Sequence, residues 1–199
     1  MPRPLAVLLL GAALPLAAQA GDARAYHLTP DSRLEVETGK AGLLGFAGHS
    51  HVIRATRFSG TVHYAAHDPA ATTIAITILA EGLEVLTPPD TAEIRKVTAS
   101  MRDEVLHVAQ YPEITFTSTR VTPAGAGYQV TAAFTLHGTT REITVPVTVA
   151  FQGDTLVARG RFSVKQTDYG IRPFRGGPGG TVRVADEVKF QVEARALPE

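Results

Sequence analysis

The amino-acid sequence predicts an all-β fold, a sandwich or barrel enclosing an apolar interior. Three observations predict it. First, apolar residues recur at every second position in the second half of the chain. Ile143, Val145, Val147, Val149 and Phe151 share one strand face, as do Leu156, Ala158, Gly160, Phe162 and Val164, and Val188, Phe190, Val192, Ala194 and Ala196. Strand side chains alternate between faces, so each run makes one apolar wall that must be covered. Second, Gly125-Ala126-Gly127 and Gly153-Asp154 stand between such runs as hairpin turns. Third, only one segment carries helical periodicity.

The chain begins with Arg3, a short apolar run from Leu5 to Leu16, and Ala18-Gln19-Ala20. This is the pattern of a secretory signal peptide over residues 1–20, cleaved after Ala20, with a single domain over 21–199. The apolar run falls short of the ~20 residues that a membrane span requires. The chain has no cysteine, which excludes thiol chemistry, disulfides and a lipidated cysteine at the cleavage point. Lys and Arg number 19, matching 19 Asp and Glu, and no basic stripe is present, so nucleic acid is not an expected partner.

In the mature part, Ser32 to Glu37 alternates, with Leu34 and Val36 on one face. Gly39 to Gly48 is rich in small residues and leads through Phe46 into His49-Ser50-His51. Phe58 to Tyr64 is a strand, and Thr72 to Leu86 is one long strand or a bent pair. After Thr87-Pro88-Pro89-Asp90, Ile94, Val97, Met101, Val105 and Val108 recur at spacings of three and four. They predict an amphipathic helix over about 92–108, laid on the barrel or across its mouth and ended by Tyr111-Pro112. Five strands follow at about 113–121, 127–137, 141–151, 155–165 and 186–196. Between the last two, Thr167 to Gly180 holds five glycines and two prolines. It reads as a long, loosely ordered loop, and its apolar and cationic residues suit a gate.

Met101 to Leu106, Tyr111 to Ser118, Phe134 to Ile143, Lys165 to Ile171 and Val184 to Val188, in this order and spacing, resemble the YceI-like family of exported proteins over nearly the whole mature chain. The resemblance implies an antiparallel eight-stranded lipocalin-like barrel that holds a long isoprenoid chain, with polyprenyl phosphates or isoprenoid quinones as ligands. It also implies a periplasmic location. One departure stands out: Pro30-Asp31-Ser32 lacks the histidine that the family often has near its first strand.

The candidate ligand-binding residues are Phe46, His49, His51, Phe58, Met101, Phe116, Phe134, Phe162, Tyr169, Arg172, Phe174 and Arg175. His49 and His51 are two apart on an extended segment and share a face. They could contact a head group, share a metal, or bond to the adjacent glycine-rich turn. Arg172 and Arg175 flank Phe174 and suit either a diphosphate or carbonyl head group, or a solvated rim. The aromatic residues serve equally as core or as ligand wall. No nucleophile elbow and no phosphate-binding loop opening a helix is present, and Asp103 and Glu104 point apart on a helix. The reading is a binding or carrier protein for an isoprenoid lipid or quinone, not an enzyme, with no cofactor and no resident metal. The alternative is a metal-binding protein or hydrolase using His49 and His51. A homodimer stays open.

Overall fold

The computed structural model describes residues 23–40, 50–86, 91–176 and 182–199. Its strands are β1 (Arg24–Leu28), β2 (Arg33–Lys40), β3 (Val52–Ala55), β4 (Phe58–Tyr64), β5 (Thr73–Leu79), β6 (Leu83–Val85), β7 (Glu113–Ala124), β8 (Gly127–Leu136), β9 (Thr139–Gln152), β10 (Thr155–Lys165), β11 (Arg175–Gly176) and β12 (Val182–Pro198). Helix α1 spans Thr91–Ser100.

The first six strands are three bent staves. β1 and β2 run along different stretches of β12, β4 pairs with β1 while β3 pairs with β2, and β5 pairs with β4 while β6 pairs with β3. Counted this way, the sheet is a closed antiparallel barrel of eight strands, joined where Tyr26 to Leu28 meets Ala196 to Pro198. Closure removes the edges from the ring β1-β4-β5-β7-β8-β9-β10-β12 and leaves β6 as the end of the β2-β3-β6 branch. The long segment Thr72 to Leu86 is the bent pair, broken by a 3-10 turn at Ala80–Gly82.

Three short strands, β1, β3 and β11, are additions to the elements expected from the sequence. Two-residue turns at Gly125-Ala126, His137-Gly138 and Gly153-Asp154 join β7 to β8, β8 to β9 and β9 to β10. His137 takes a positive φ of 51°, and a Cβ on Gly138 would strike the Tyr111 ring at 2.6 Å, so only glycine fits there.

The helix is shorter than its apolar periodicity suggests. Regular α-structure stops at Ser100, and Met101–Val105 forms a π-helical turn in which Leu106 N donates to Met101 O at 2.9 Å. Arg102 supplies a reason: its Nε and Nη2 donate to Leu83 O at 3.2 and 2.9 Å, tying this turn to β6. Val85 N donates to Thr98 Oγ1 at 3.5 Å, so α1 and its trailing turn cover the β6 edge. Met101 is buried, with Ile94, Val97 and Val105 packed against the same core. Among the described residues no helix is long and apolar enough to cross a membrane.

Candidate functional site

The inward side chains do not fill the barrel. They surround an apolar cavity of about 560 Å³. Leu34 and Val36 border it from β2, Ile74, Ile76 and Ile78 from β5, Val130, Phe134 and Leu136 from β8, Val145 to Val149 at alternate positions from β9, and Val188 to Ala194 at alternate positions from β12. These are the alternating runs seen in the sequence, and the pleat turns each of them inward. Gly160 also borders the space, where a Cβ would stand 3.1 Å from Val145 Cγ1.

One end of the cavity lies beneath α1. Here Lys96, Val97, Ser100 and Met101 meet His51, Gln166, Phe174 and Arg183. The other end lies by the β7–β8 turn, where Tyr64, Thr72 and Tyr128 stand against the lining. Next to the first end, Phe134 makes edge-on contacts with Phe162, Tyr169 and Phe190 at centroid distances of 5.6, 5.6 and 5.5 Å. Phe162 and Phe190 stack at 4.6 Å. This cluster is at once core and cavity wall.

The segment that follows β10 is better anchored than its glycines suggest. Gln166–Tyr169 forms a 3-10 turn, and Tyr169 and Ile171 are buried. Gln166 Nε2 donates to Ala185 O at 2.8 Å, and Arg141 Nε donates to Asp168 O at 2.6 Å. His137 Nδ1 donates to Tyr169 O at 3.2 Å, while the Tyr111 ring packs on the imidazole at 4.2 Å. Thr167 N and Oγ1 donate to Asp186 at 2.9 and 2.7 Å, and these bonds hold the carboxyl below the usual carboxylate range. Asp186 sits where β12 departs from regular register with β2, so the irregular strand becomes the anchor. Burial pushes the Tyr169 phenol up. Beyond this turn, Phe174 O accepts from Val184 N at 3.1 Å, and Arg175–Gly176 pairs with Val182 and Arg183.

Of the residues singled out from the sequence, His51, Met101, Phe116, Phe134, Phe162 and Phe174 border the cavity. His51 is also held through its backbone by Thr38, whose N donates to His51 O at 2.9 Å and whose Oγ1 accepts from His51 N at 3.1 Å. Tyr169 stands behind Phe134, outside the lining. Phe58 faces a second, polar recess with Ser32, Arg33 and Arg54. Arg172 and Arg175 are exposed and do not border the cavity. Phe46 and His49 lie outside the described residues. Among the described residues no three His, Cys, Asp or Glu side chains gather as a metal site.

Sequence reasoning missed Tyr64, Thr72 and Tyr128 at the far end. The Tyr64 and Tyr128 hydroxyls meet at 3.1 Å, although 64 positions separate them in the chain. That bond, with burial, pushes the Tyr64 phenol up to about 12.

The model of the YceI-like domain matches residues 30–196. The chain belongs to the YceI-like family. Protein YceI of Salmonella arizonae is 31% identical over 97 residues, which cover 49% of this chain and 48% of the relative, so the match spans about half the length of these curated relatives. Burkholderia cenocepacia BcnA, a crystal structure, superposes with a TM-score of 0.69 at 22% identity, covering 84% of this chain and 98% of that one. A polyisoprenoid-binding domain from Saccharophagus degradans, implicated in plant cell wall breakdown, superposes with a TM-score of 0.61 at 14% identity, covering 89% and 99%. At these identities the two structures establish the shared fold.

Proposed function

We propose that this member of the YceI-like family is a periplasmic binding or carrier protein for an isoprenoid lipid, and that it acts by binding rather than by catalysis. The observation that carries the reading is the apolar cavity of about 560 Å³ inside a closed barrel. Burying apolar carbon yields about 0.8 kcal/mol per methylene, or roughly 4 kcal/mol per five-carbon isoprene unit. A few units offset the ~4–15 kcal/mol cost of association. The polyisoprenoid-binding domain with the same fold supports the choice of lipid. The apolar leader ending in Ala18-Gln19-Ala20 supports export with cleavage after Ala20.

The lipid enters beneath α1, where Met101 and Phe174 border the space and Lys96 supplies a cation. His51 stands at this same end and meets the outer part of the ligand. Phe116, Phe134 and Phe162 form wall against its chain.

The test is organic extraction of protein purified from its exported fraction, with mass spectrometry of the extract and metal analysis of the same sample. A prenyl lipid near one per chain is expected, with metal near zero. Stoichiometric metal without lipid would overturn the reading. N-terminal sequencing of the exported protein should begin at Gly21, and a retained leader in the membrane fraction would refute the processing.

A further inference from the structure

The floor of the cavity is built differently from its walls. Tyr64 ends β4 and Tyr128 lies near the start of β8; in the ring, β5 and β7 stand between those strands. The two phenols therefore reach across the end of the barrel to make their 3.1 Å bond. Phe151 packs on the Tyr64 ring at 5.6 Å. Beside them Thr72 Oγ1 accepts from Ala65 N at 3.1 Å, and Thr72 also borders the cavity.

Two hydroxyls that share one hydrogen bond use one of their two protons. Whichever tyrosine donates, the other keeps an O–H that no acceptor engages among the described residues. That donor borders the apolar space at the end away from α1, on half-buried rings, where a paired polar group is favoured over an unpaired one. The raised phenol pKa keeps Tyr64 protonated and neutral.

Three cations border the cavity among the described residues, and of these Arg159 is level with Tyr128 along the barrel. Lys96 is on α1 and Arg183 is at the start of β12, both at the opposite end, and Arg159 is paired with Glu193 at 2.9 Å. The floor therefore offers a neutral donor, and the cation nearest to it by register among the described residues, Arg24 opposite Tyr64 on β1, is exposed and lies over the Tyr26 ring at 5.6 Å, so a phosphate buried at the phenols would find little compensation for its lost hydration.

We infer that the tyrosine pair is a recognition point for a neutral oxygen acceptor carried on the buried end of the lipid. This rests on the isoprenoid-binding reading and deepens it. A ring carbonyl and a terminal hydroxyl both have this chemistry. A lipid with either enters oxygen-first and meets the phenols, whereas a phosphate-headed lipid keeps its head beneath α1.

Delipidated protein titrated with four probes tests this: an isoprenoid quinone, a polyprenol, a polyprenyl monophosphate and squalene, which has no oxygen. Wild type is compared with Tyr64→Phe, Tyr128→Phe and the double variant. These changes keep ring packing, and melting curves report whether each variant folds. The floor predicts that affinity for the quinone, the polyprenol or both falls about three- to tenfold in the double variant. Squalene and the phosphate should hold within about twofold. The oxygenated probe that loses affinity identifies the source of the acceptor. A second readout is the carbonyl stretching frequency of bound quinone, which should return toward its hydrocarbon-solvent value in the double variant if the quinone is that source.

If neither oxygenated probe loses affinity, or squalene loses as much as they do, the floor assignment is overturned while isoprenoid binding stands. If none of the four probes binds wild type, both fall.

Discussion

Phe134→Ala removes the ring at the centre of the aromatic cluster. Phe134 is 4% exposed and meets Phe162, Tyr169 and Phe190 edge-on. Truncating a buried phenylalanine costs about 3–5 kcal/mol. One side of this ring borders the cavity and has fewer protein atoms to lose, which moves the expectation toward the lower end. The three aromatic pairs, each worth about 0.5–1.5 kcal/mol beyond burial, keep it from falling further. The expected loss is about 3 kcal/mol. With a urea m-value of about 2 kcal/mol/M, the unfolding midpoint should fall by about 1.5 M with no change in slope. The control is Phe151→Ala at the outer floor, where the ring is 47% exposed and the loss should be about 1 kcal/mol. Equal losses at the two positions, or a loss under about 1 kcal/mol at Phe134, would refute the claim that this cluster is the keystone of the core.

Three further outcomes follow from the geometry. Met101→Asp places an unpaired charge in the buried turn after α1, and should lower the melting temperature by about 10 °C or more; an unchanged melting curve would put this face in solvent. The Asp186 carboxyl is held below its ordinary pKa, so its contribution is present above the unfolded value of about 3.9 and is lost as pH falls through the lower folded value. Denaturation of wild type and Asp186→Ala should therefore differ at neutral pH and converge in acid, and a pH-independent difference would contradict the Thr167 anchor. Phe174→Ala should speed lipid release several-fold in a stopped-flow transfer assay while melting stays unchanged, because Phe174 borders the cavity at the end beneath α1; unchanged release would remove Phe174 from the exit path.

The barrel was legible because its long strands alternate without interruption. Phe58–Tyr64 falls where the sequence placed it, and β7 to β10 differ from expectation only near their ends. The short pieces were not legible. β1 has five residues and β3 has four, too few for a period-two pattern to stand out, and their pairing depends on strands distant in the chain. The helix end was misplaced because Met101, Val105 and Val108 keep their apolar spacing, whereas the π turn follows from the Arg102 bonds to Leu83, which the spacing does not encode.

The loop after β10 carried a signal that its glycines obscured. Tyr169 and Ile171 are two apart and costly to expose together, and both prove to be buried anchors. For the site, alternation marked the wall residues, but it could not mark the floor. Tyr64 and Tyr128 look like ordinary aromatic residues at strand ends, and only closure of the barrel brings their hydroxyls together.

Isothermal titration of delipidated protein with a long-chain isoprenoid, repeated at several temperatures, measures the central claim directly. One chain should bind one lipid saturably, with a negative heat-capacity change that reports apolar surface leaving water inside the cavity. Non-saturable uptake, or saturable binding with a heat-capacity change near zero, would contradict burial of the lipid in the barrel.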